Sequence, residues 1–338
     1  MVNRIAVVLS VVLAFGALAN ASELWNNGVT YNGNWSEPNW YDSGTLTYIS
    51  HPGGTVDTRI SGNSTVTVDV SNAQCGPLFV GRGGSGTLAI SDGSASLLVS
   101  KASTELLSVG YDGNGVVNQS GGLVKVSTAD LSSELRISHG AAISGTYNLS
   151  GGILDVEKLA RGGATWPAVF NATGGTLVVR NKIYKFGLTS AGLGFNQGTA
   201  LLAPAGLDQV GTIGLGDSGN KTDYKAGAGA VIKIDIASDT SYDVMRSYGK
   251  LDLDNASILV NYLGTYTPGP DSFFDVWLEL DTAYAGSGNI TMLTPGTSYE
   301  WKDLNLDGKI DTLRIPEPAT LSILALGLGG LIIRRKRS

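Results

Sequence analysis

Between Leu78 and Asn181 the chain repeats a short phrase in which a strand-like run leads to a Gly-Gly pair and then to another strand-like run. The Gly-Gly pairs begin at Gly121, Gly151 and Gly174, spacings of 30 and 23 residues. Runs such as Leu135-Arg136-Ile137, Leu123-Val124-Lys125-Val126 and Ile153-Leu154-Asp155-Val156 alternate apolar and polar side chains, so each has one face to bury. One such unit is too small to bury that face alone, and stacking on its neighbours supplies the missing partner. Glycine at the corners permits a tight change of direction at positive φ.

The units resemble the parallel β-helix repeats of autotransporter-type passenger proteins. That resemblance implies an all-β chain, a right-handed parallel β-helix or β-solenoid over residues 78–187. Stacked antiparallel sheets are the alternative, because short Gly-rich strands also build sandwiches. Residues 22–77 precede the repeats as an aromatic-rich segment with first strands, and residues 188–302 form a β-rich region. Its runs Ala230–Ile236, Ser257–Tyr262 and Ser272–Leu278 alternate cleanly. They read either as the last coils of the solenoid or as a small sandwich, and periodicity does not separate the two.

Composition narrows the function classes. The full chain holds 23 Lys+Arg against 29 Asp+Glu, a net charge of −6. Setting aside Arg4 and the four cations at 334–337 leaves 18 against 29, or −11, for residues 22–318. So acidic a body repels nucleic acid, and no nucleic-acid partner is expected. Cys75 is the single cysteine, so no intramolecular disulfide is available and stability must come from burial.

Both ends carry export signals. Residues 1–21 have a cation at Arg4, an apolar stretch from Ile5 to Leu18 and an Ala19-Asn20-Ala21 cleavage site, the layout of a secretory signal peptide whose helix is removed. Residues 316–338 open with Pro316-Glu317-Pro318, continue through 15 apolar-rich residues from Ala319 to Ile333, and close with Arg334-Arg335-Lys336-Arg337. As a helix the apolar run spans roughly 22 Å, short of a ~30 Å hydrocarbon core unless flanking residues extend it or the cations snorkel. The basic cluster is expected to stay on the cytoplasmic side, facing the rest of the chain outward. This tail resembles the PEP-CTERM domain of Gram-negative bacteria, which implies recognition by an exosortase-like membrane protease. It also implies a transient membrane anchor through a C-terminal transmembrane helix, and delivery to the cell envelope, surface or extracellular matrix.

Three further constellations bear on chemistry. Residues 303–315 place Asp303, Asn305 and Asp307 at loop positions one, three and five, with Gly308 at six, Ile310 at eight and Asp311 at nine, as in a calcium loop. Position twelve is Arg314 rather than a bidentate acid, so this half-complete loop is expected to bind calcium weakly, at about 10⁻⁴ to 10⁻³ M. Trp25, Trp35 and Trp40 read two ways, as platforms for exopolysaccharide or surface glycans, or as a cap over the first coil. For catalysis no residue stands out. His51 and His139 are far apart in sequence, and Cys75 has no nearby base. The acid pairs Asp252/Asp254 and Asp235/Asp239 are what the solvent face of a strand looks like, and Gly81 to Gly86 precedes no helix as a phosphate loop would. A structural or adhesive surface protein, not an enzyme, is the expectation. The competing readings are a polysaccharide-binding module and a β-helix lyase or hydrolase.

Overall fold

The computed structural model describes residues 22–25, 32–42, 47–49, 52, 57–100, 105–128, 132–140, 142–163, 166–186, 195–249, 251–254, 256–269, 272–279, 290–297, 300–302 and 312–316. Among them every regular element is a strand. The signal peptide and the apolar tail segment lie outside the described residues.

The strands stack in parallel into three sheets that enclose one core. Sheet I runs β1 (Ser22–Trp25), β5 (Asp57–Ile60), β8 (Leu78–Val80), β11 (Glu105–Val109) and β13 (Glu134–Ile137). It continues through the final segments of β14 (Gly145–Arg161) and β15 (Ala168–Tyr184), then β18 (Thr212–Leu215), β22 (Val244–Ser247) and β25 (Phe273–Glu279). Sheet II runs β2 (Asn32–Asn34), β6 (Ser64–Thr67), β9 (Gly86–Ile90), the first part of β12 (Gly115–Val126), the first parts of β14 and β15, β16 (Phe195–Gln197), β19 (Tyr224–Ala226) and β23 (Leu251–Asp252). Sheet III runs β7 (Ala73–Cys75), β10 (Ser96–Val99), the second part of β12, the middle of β14 and β15, β17 (Leu201–Pro204), β20 (Val231–Ser238), β24 (Ser257–Tyr262) and β26 (Thr291–Met292). The chain visits the sheets in the order I, II, III, so each circuit is one coil of a parallel β-solenoid. The coils continue on both sides of residues 78–187, and β17, β20, β24 and β26 are parallel rungs rather than a separate sandwich.

The Gly-Gly corners explain how β12, β14 and β15 pass between sheets II and III without a break. Gly122, Gly152 and Gly175 sit at φ of +63°, +73° and +72°. A Cβ on Gly175 would lie 2.7 Å from the Gly152 carbonyl oxygen, because successive corners stack backbone on backbone. Only glycine tolerates both demands.

Alternation then fills the interior. In β9 Leu88 and Ile90 are buried while Thr87 and Ala89 are half-exposed. Facing residues of sheet II form an internal aromatic ladder. Tyr147, Phe170, Phe195 and Tyr224 stack at centroid separations of 5.6, 5.6 and 5.5 Å. Their buried hydroxyls are matched by glutamines. Tyr147 donates to Gln119 Oε1 at 2.7 Å and Tyr224 donates to Gln197 Oε1, and each glutamine amide in turn donates to carbonyls at the next corner. Between sheets III and I, the buried carboxylate of Glu157 accepts from the Thr128 and Ser133 amides at 2.8 Å each and from the hydroxyls of Ser127, Thr128 and Ser133. Glu157 thereby organises a corner that has no glycine pair.

Sheet I ends in antiparallel strands at both extremes. At the start, β3 (Trp40–Asp42) pairs with β1, and β4 (Thr47–Ile49) pairs with β3. At the finish, β28 (Thr312–Pro316) pairs with β25 on one side and β27 (Glu300–Lys302) on the other. The short β21 (Ser241–Tyr242) folds back on β20. Antiparallel addition covers edges that would otherwise template another chain.

Candidate functional site

The C-terminal strand β28 is where the fold meets the sorting tail. Leu313 and Ile315 point inward and are fully buried, which anchors the strand by alternation over only two periods. Its register with β25 sets Ile315 opposite Phe274, Arg314 opposite Asp275 and Pro316 opposite Phe273. On the other side Arg314 lies opposite Glu300. Arg314, the twelfth position of the loop read as a calcium site, is thus a strand residue flanked by two acids. Pro316 is the last described residue. A proline is tolerated there because its missing N–H falls at the end of the ladder.

Glu317, Pro318, Arg334, Arg335, Lys336 and Arg337 lie outside the described residues, as do Ala19 and Ala21 of the cleavage site and Asp303, Asn305, Asp307 and Asp311 of the Asp/Asn loop. Among the described residues no three His, Cys, Asp or Glu side chains converge as a metal site.

The tryptophans sit at the opposite end. Trp25 pairs with Trp40 in the β1–β3 ladder. Trp35 is 1 % exposed and Trp40 0 %, their rings meet edge to face at 4.9 Å, and the Trp40 indole N–H donates to the Trp35 carbonyl at 3.0 Å. Neither of these two rings presents a face to solvent, so the aromatic segment closes the first coil as a cap does. Ser36 ties that cap to the next coil by donating its amide and hydroxyl to the Asp69 carboxylate.

The acids weighed for catalysis are engaged in local bonds. Asp252 pairs with Lys225 at 3.0 Å and accepts from the Asp254 amide. Asp239 accepts from Ser272 at 2.6 Å and Tyr266 at 2.5 Å, which lowers its own pKa, and desolvation, followed by the bond to Asp239, pushes the Tyr266 phenol up to about 12. Asp235 is buried against Lys233 at 2.9 Å. Beside it lies Asp243, which periodicity does not single out. Burial, with the neighbouring Asp235 charge adding to it, raises the Asp243 pKa to about 7 even though its oxygens accept from the Gly211 and Asp235 amides at 2.9 Å. His139 lies at a corner with its ring stacked on Tyr111 at 4.3 Å. Cys75 is buried, and His51 lies outside the described residues.

The outer face of sheet II has the most regular surface. One column of outward positions reads Thr65, Thr87, Val116, Thr146 and Val169. In the parallel column Asn148 donates to Asn118 at 2.8 Å and Asn171 donates to Asn148 at 2.7 Å, an asparagine ladder along the axis. These columns carry no charge, against a chain that is acidic as a whole. Farther along the same sheet the Lys225–Asp252 pair brings charge to it.

Residues 314–337 match the family model of the PEP-CTERM protein-sorting motif, from Arg314 within β28 through the basic cluster. That motif directs exosortase-dependent sorting to the cell envelope or surface, and exosortase is a membrane protein. No curated protein matches the chain. The molecule is a parallel β-solenoid that carries a PEP-CTERM sorting motif at the strand closing its C-terminal end.

Proposed function

We propose that the protein is a non-catalytic surface component that an exosortase-type system delivers, processes and releases to the envelope or matrix, where it acts structurally or adhesively. The observation that carries this reading is the junction at Pro316. A self-contained solenoid with both ends of sheet I closed runs directly into the sorting motif. The buried Glu157 and the paired Asp252 and Asp239 support it, since each carboxylate is engaged in holding a corner or a strand. A stiff solenoid offers repeated weak contacts along one face, and avidity multiplies them. The tail's 15 apolar-rich residues are short for permanent residence in a bilayer, which suits a label that is removed. Mass mapping of the mature C-terminus after fractionating the native host tests this directly. Recovery of surface protein that still carries Arg334 to Ser338 would sink the processing step.

A second reading, a polysaccharide-binding module, is favoured by the uncharged Thr/Val and Asn columns of sheet II. The amide groups of Asn118, Asn148 and Asn171 repeat every ~4.8 Å along the axis, a spacing set by the strands themselves. Replacing Asn118, Asn148 and Asn171 with Ala removes the amide column and should abolish retention on neutral polysaccharide. Unchanged retention would remove this reading and leave the structural one.

A further inference from the structure

On the outer face of sheet I, Arg59, Phe79, Ser108 and Arg136 form one column, set side by side by the strand registers. Phe79 lies outside the core cluster that holds its neighbours Leu78 and Val80, yet it is only 8 % exposed. Side chains from the corners lie over it. Tyr111 meets its ring edge to face at 5.0 Å, and the Arg82 guanidinium carbon sits 4.3 Å from the Phe79 centroid and 4.7 Å from that of Tyr111. The row continues along the axis, with His139 stacked on Tyr111 at 4.3 Å and Trp166 lying 6.5 Å beyond His139. Tyr111, His139 and Trp166 are half-buried, so each remains partly open to solvent.

Arg82 belongs to the loop from Gly81 to Gly86, whose backbone is held without help from that side chain. The Gly81 carbonyl accepts from the Tyr111, Asp112 and Gly113 amides, and the Asp112 carboxylate accepts from the Gly83 amide. Arg82 and Arg59 thus both neighbour Phe79, one over its ring and one beside it in the column. Burial, with the nearby Arg82 charge adding to it, lowers the Arg59 pKa, and Asp57 and Asp112 oppose this only through space. Among the described residues no oxygen pairs or hydrogen-bonds with either guanidinium, and Arg59 Nε is buried without an acceptor. Ser108 Oγ, in the same column, is likewise buried without a partner. A buried donor left unmet is costly, and a bound acceptor relieves that cost.

We propose that Arg59 and Arg82 form an anion site for the carboxylate of an acidic saccharide, whose sugar chain lies along the Tyr111, His139 and Trp166 row. A planar carboxylate matches the guanidinium fork, and aromatic rings suit the apolar faces of sugars. The next arginine in the column, Arg136, is already paired with Glu134 at 2.5 Å, so a second anionic group meets no ready partner. The net charge of −11 over residues 22–318 also disfavours a densely charged polyanion. The fitting chain therefore alternates acidic and neutral sugars. This rests on the adhesive reading and gives it a ligand class, at a site separate from the asparagine column of sheet II.

The test titrates the full chain in detergent with a hexasaccharide of alternating glucuronate and N-acetylglucosamine, read by calorimetry. The wild type should bind it, and the carboxyl-reduced hexasaccharide should bind about tenfold more weakly or worse. Arg59→Gln and Arg82→Gln should each lose a similar factor. Arg82→Lys, which keeps the charge over the rings but not the fork, should lose severalfold with its urea midpoint unchanged. Lys225→Gln, which removes a cation from sheet II, should bind as the wild type does. Equal losses for Arg82→Gln and Lys225→Gln overturn the site by reducing it to diffuse charge. Equal binding of the two hexasaccharides overturns the site and leaves the adhesive reading standing, whereas binding of neither removes the saccharide ligand altogether. Displacement by inorganic phosphate, or by an Asp/Ser peptide, at matched concentration overturns the saccharide in favour of a bare anion or a protein partner.

Discussion

Pro316, the first residue of the Pro-Glu-Pro signature, faces Phe273 across the antiparallel ladder that closes sheet I. The sorting signal is therefore not an appendage on a linker. Its first proline belongs to the folded body, and the strand it ends is held by the buried Leu313 and Ile315.

Loss of that hold should be costly. Leu313→Ala removes a fully buried side chain and is expected to lower stability by about 2–4 kcal/mol, read as a shift in the urea midpoint. Truncation after Pro316 should leave the midpoint unchanged, whereas truncation after Asp311 should lower it and promote association through the bared edge of β25. Equal midpoints for the two truncations would mean that β28 contributes nothing.

Gly175→Ala tests the stacked corners. The new Cβ would meet the Gly152 carbonyl oxygen at 2.7 Å on a backbone at φ +72°. A loss well above the ~1 kcal/mol of an ordinary Gly-to-Ala strain is expected, while Gly93→Ala, which meets nothing within 4 Å, should be nearly silent. Equal effects at both positions would argue against backbone-on-backbone packing.

Asp243 makes stability depend on pH in an unusual direction. Its folded pKa is raised from 3.8 to about 7, so the native state holds a proton that the unfolded chain releases near pH 4. The stabilisation is complete below pH 4 and is lost as pH rises to 7, by at most about 4 kcal/mol at 1.36 kcal/mol per unit. Asp243→Asn should flatten the profile of urea midpoint against pH between 4 and 7. A wild-type profile that instead rises through this window would contradict the assignment.

Asp217 works the opposite way. Lys182 at 2.7 Å, with help from Asn220, holds its carboxylate down at about 2. Stability from this exposed pair is present above pH 4 and fades as pH falls toward 2, and Lys182→Met should remove that acid-side slope. An unaltered acid limb in the variant would exclude the pair as its source.

Trp35→Ala and Trp40→Ala distinguish cap from sugar platform. Each removes a buried indole, with an expected loss of about 3–5 kcal/mol and early protease cleavage within the first coils. Intact stability combined with lost glycan retention would return these rings to the surface.

How much of this can be read from the residues varies along the chain. The corners at Gly121, Gly151 and Gly174 are legible because a stacked backbone leaves no alternative to glycine, and the alternating runs between them mark the inward faces. The solenoid's extent is harder to see. Strands such as β7 and β16 hold three residues each, below the length at which alternation speaks, and their partners lie a whole coil away. Tryptophans near the start suit two roles, since an indole has an apolar body and a polar N–H, and only burial and the Trp40 hydrogen bond to Trp35 separate them. At the other end, the Leu313-Arg314-Ile315 alternation is hidden beside an Asp/Asn-rich loop pattern that claims Arg314 as its last position. Asp243 has no signal at all, because its perturbation comes from burial beside Asp235 and not from spacing.

The closure of sheet I also ties the finished fold to the sorting motif. In a parallel stack each coil offers an open edge to the next, and β25 is the last parallel rung of sheet I. That edge is covered by β28, and β28 is continuous with the sorting motif. The last strand of sheet I and the start of the sorting motif therefore share three residues, Arg314, Ile315 and Pro316.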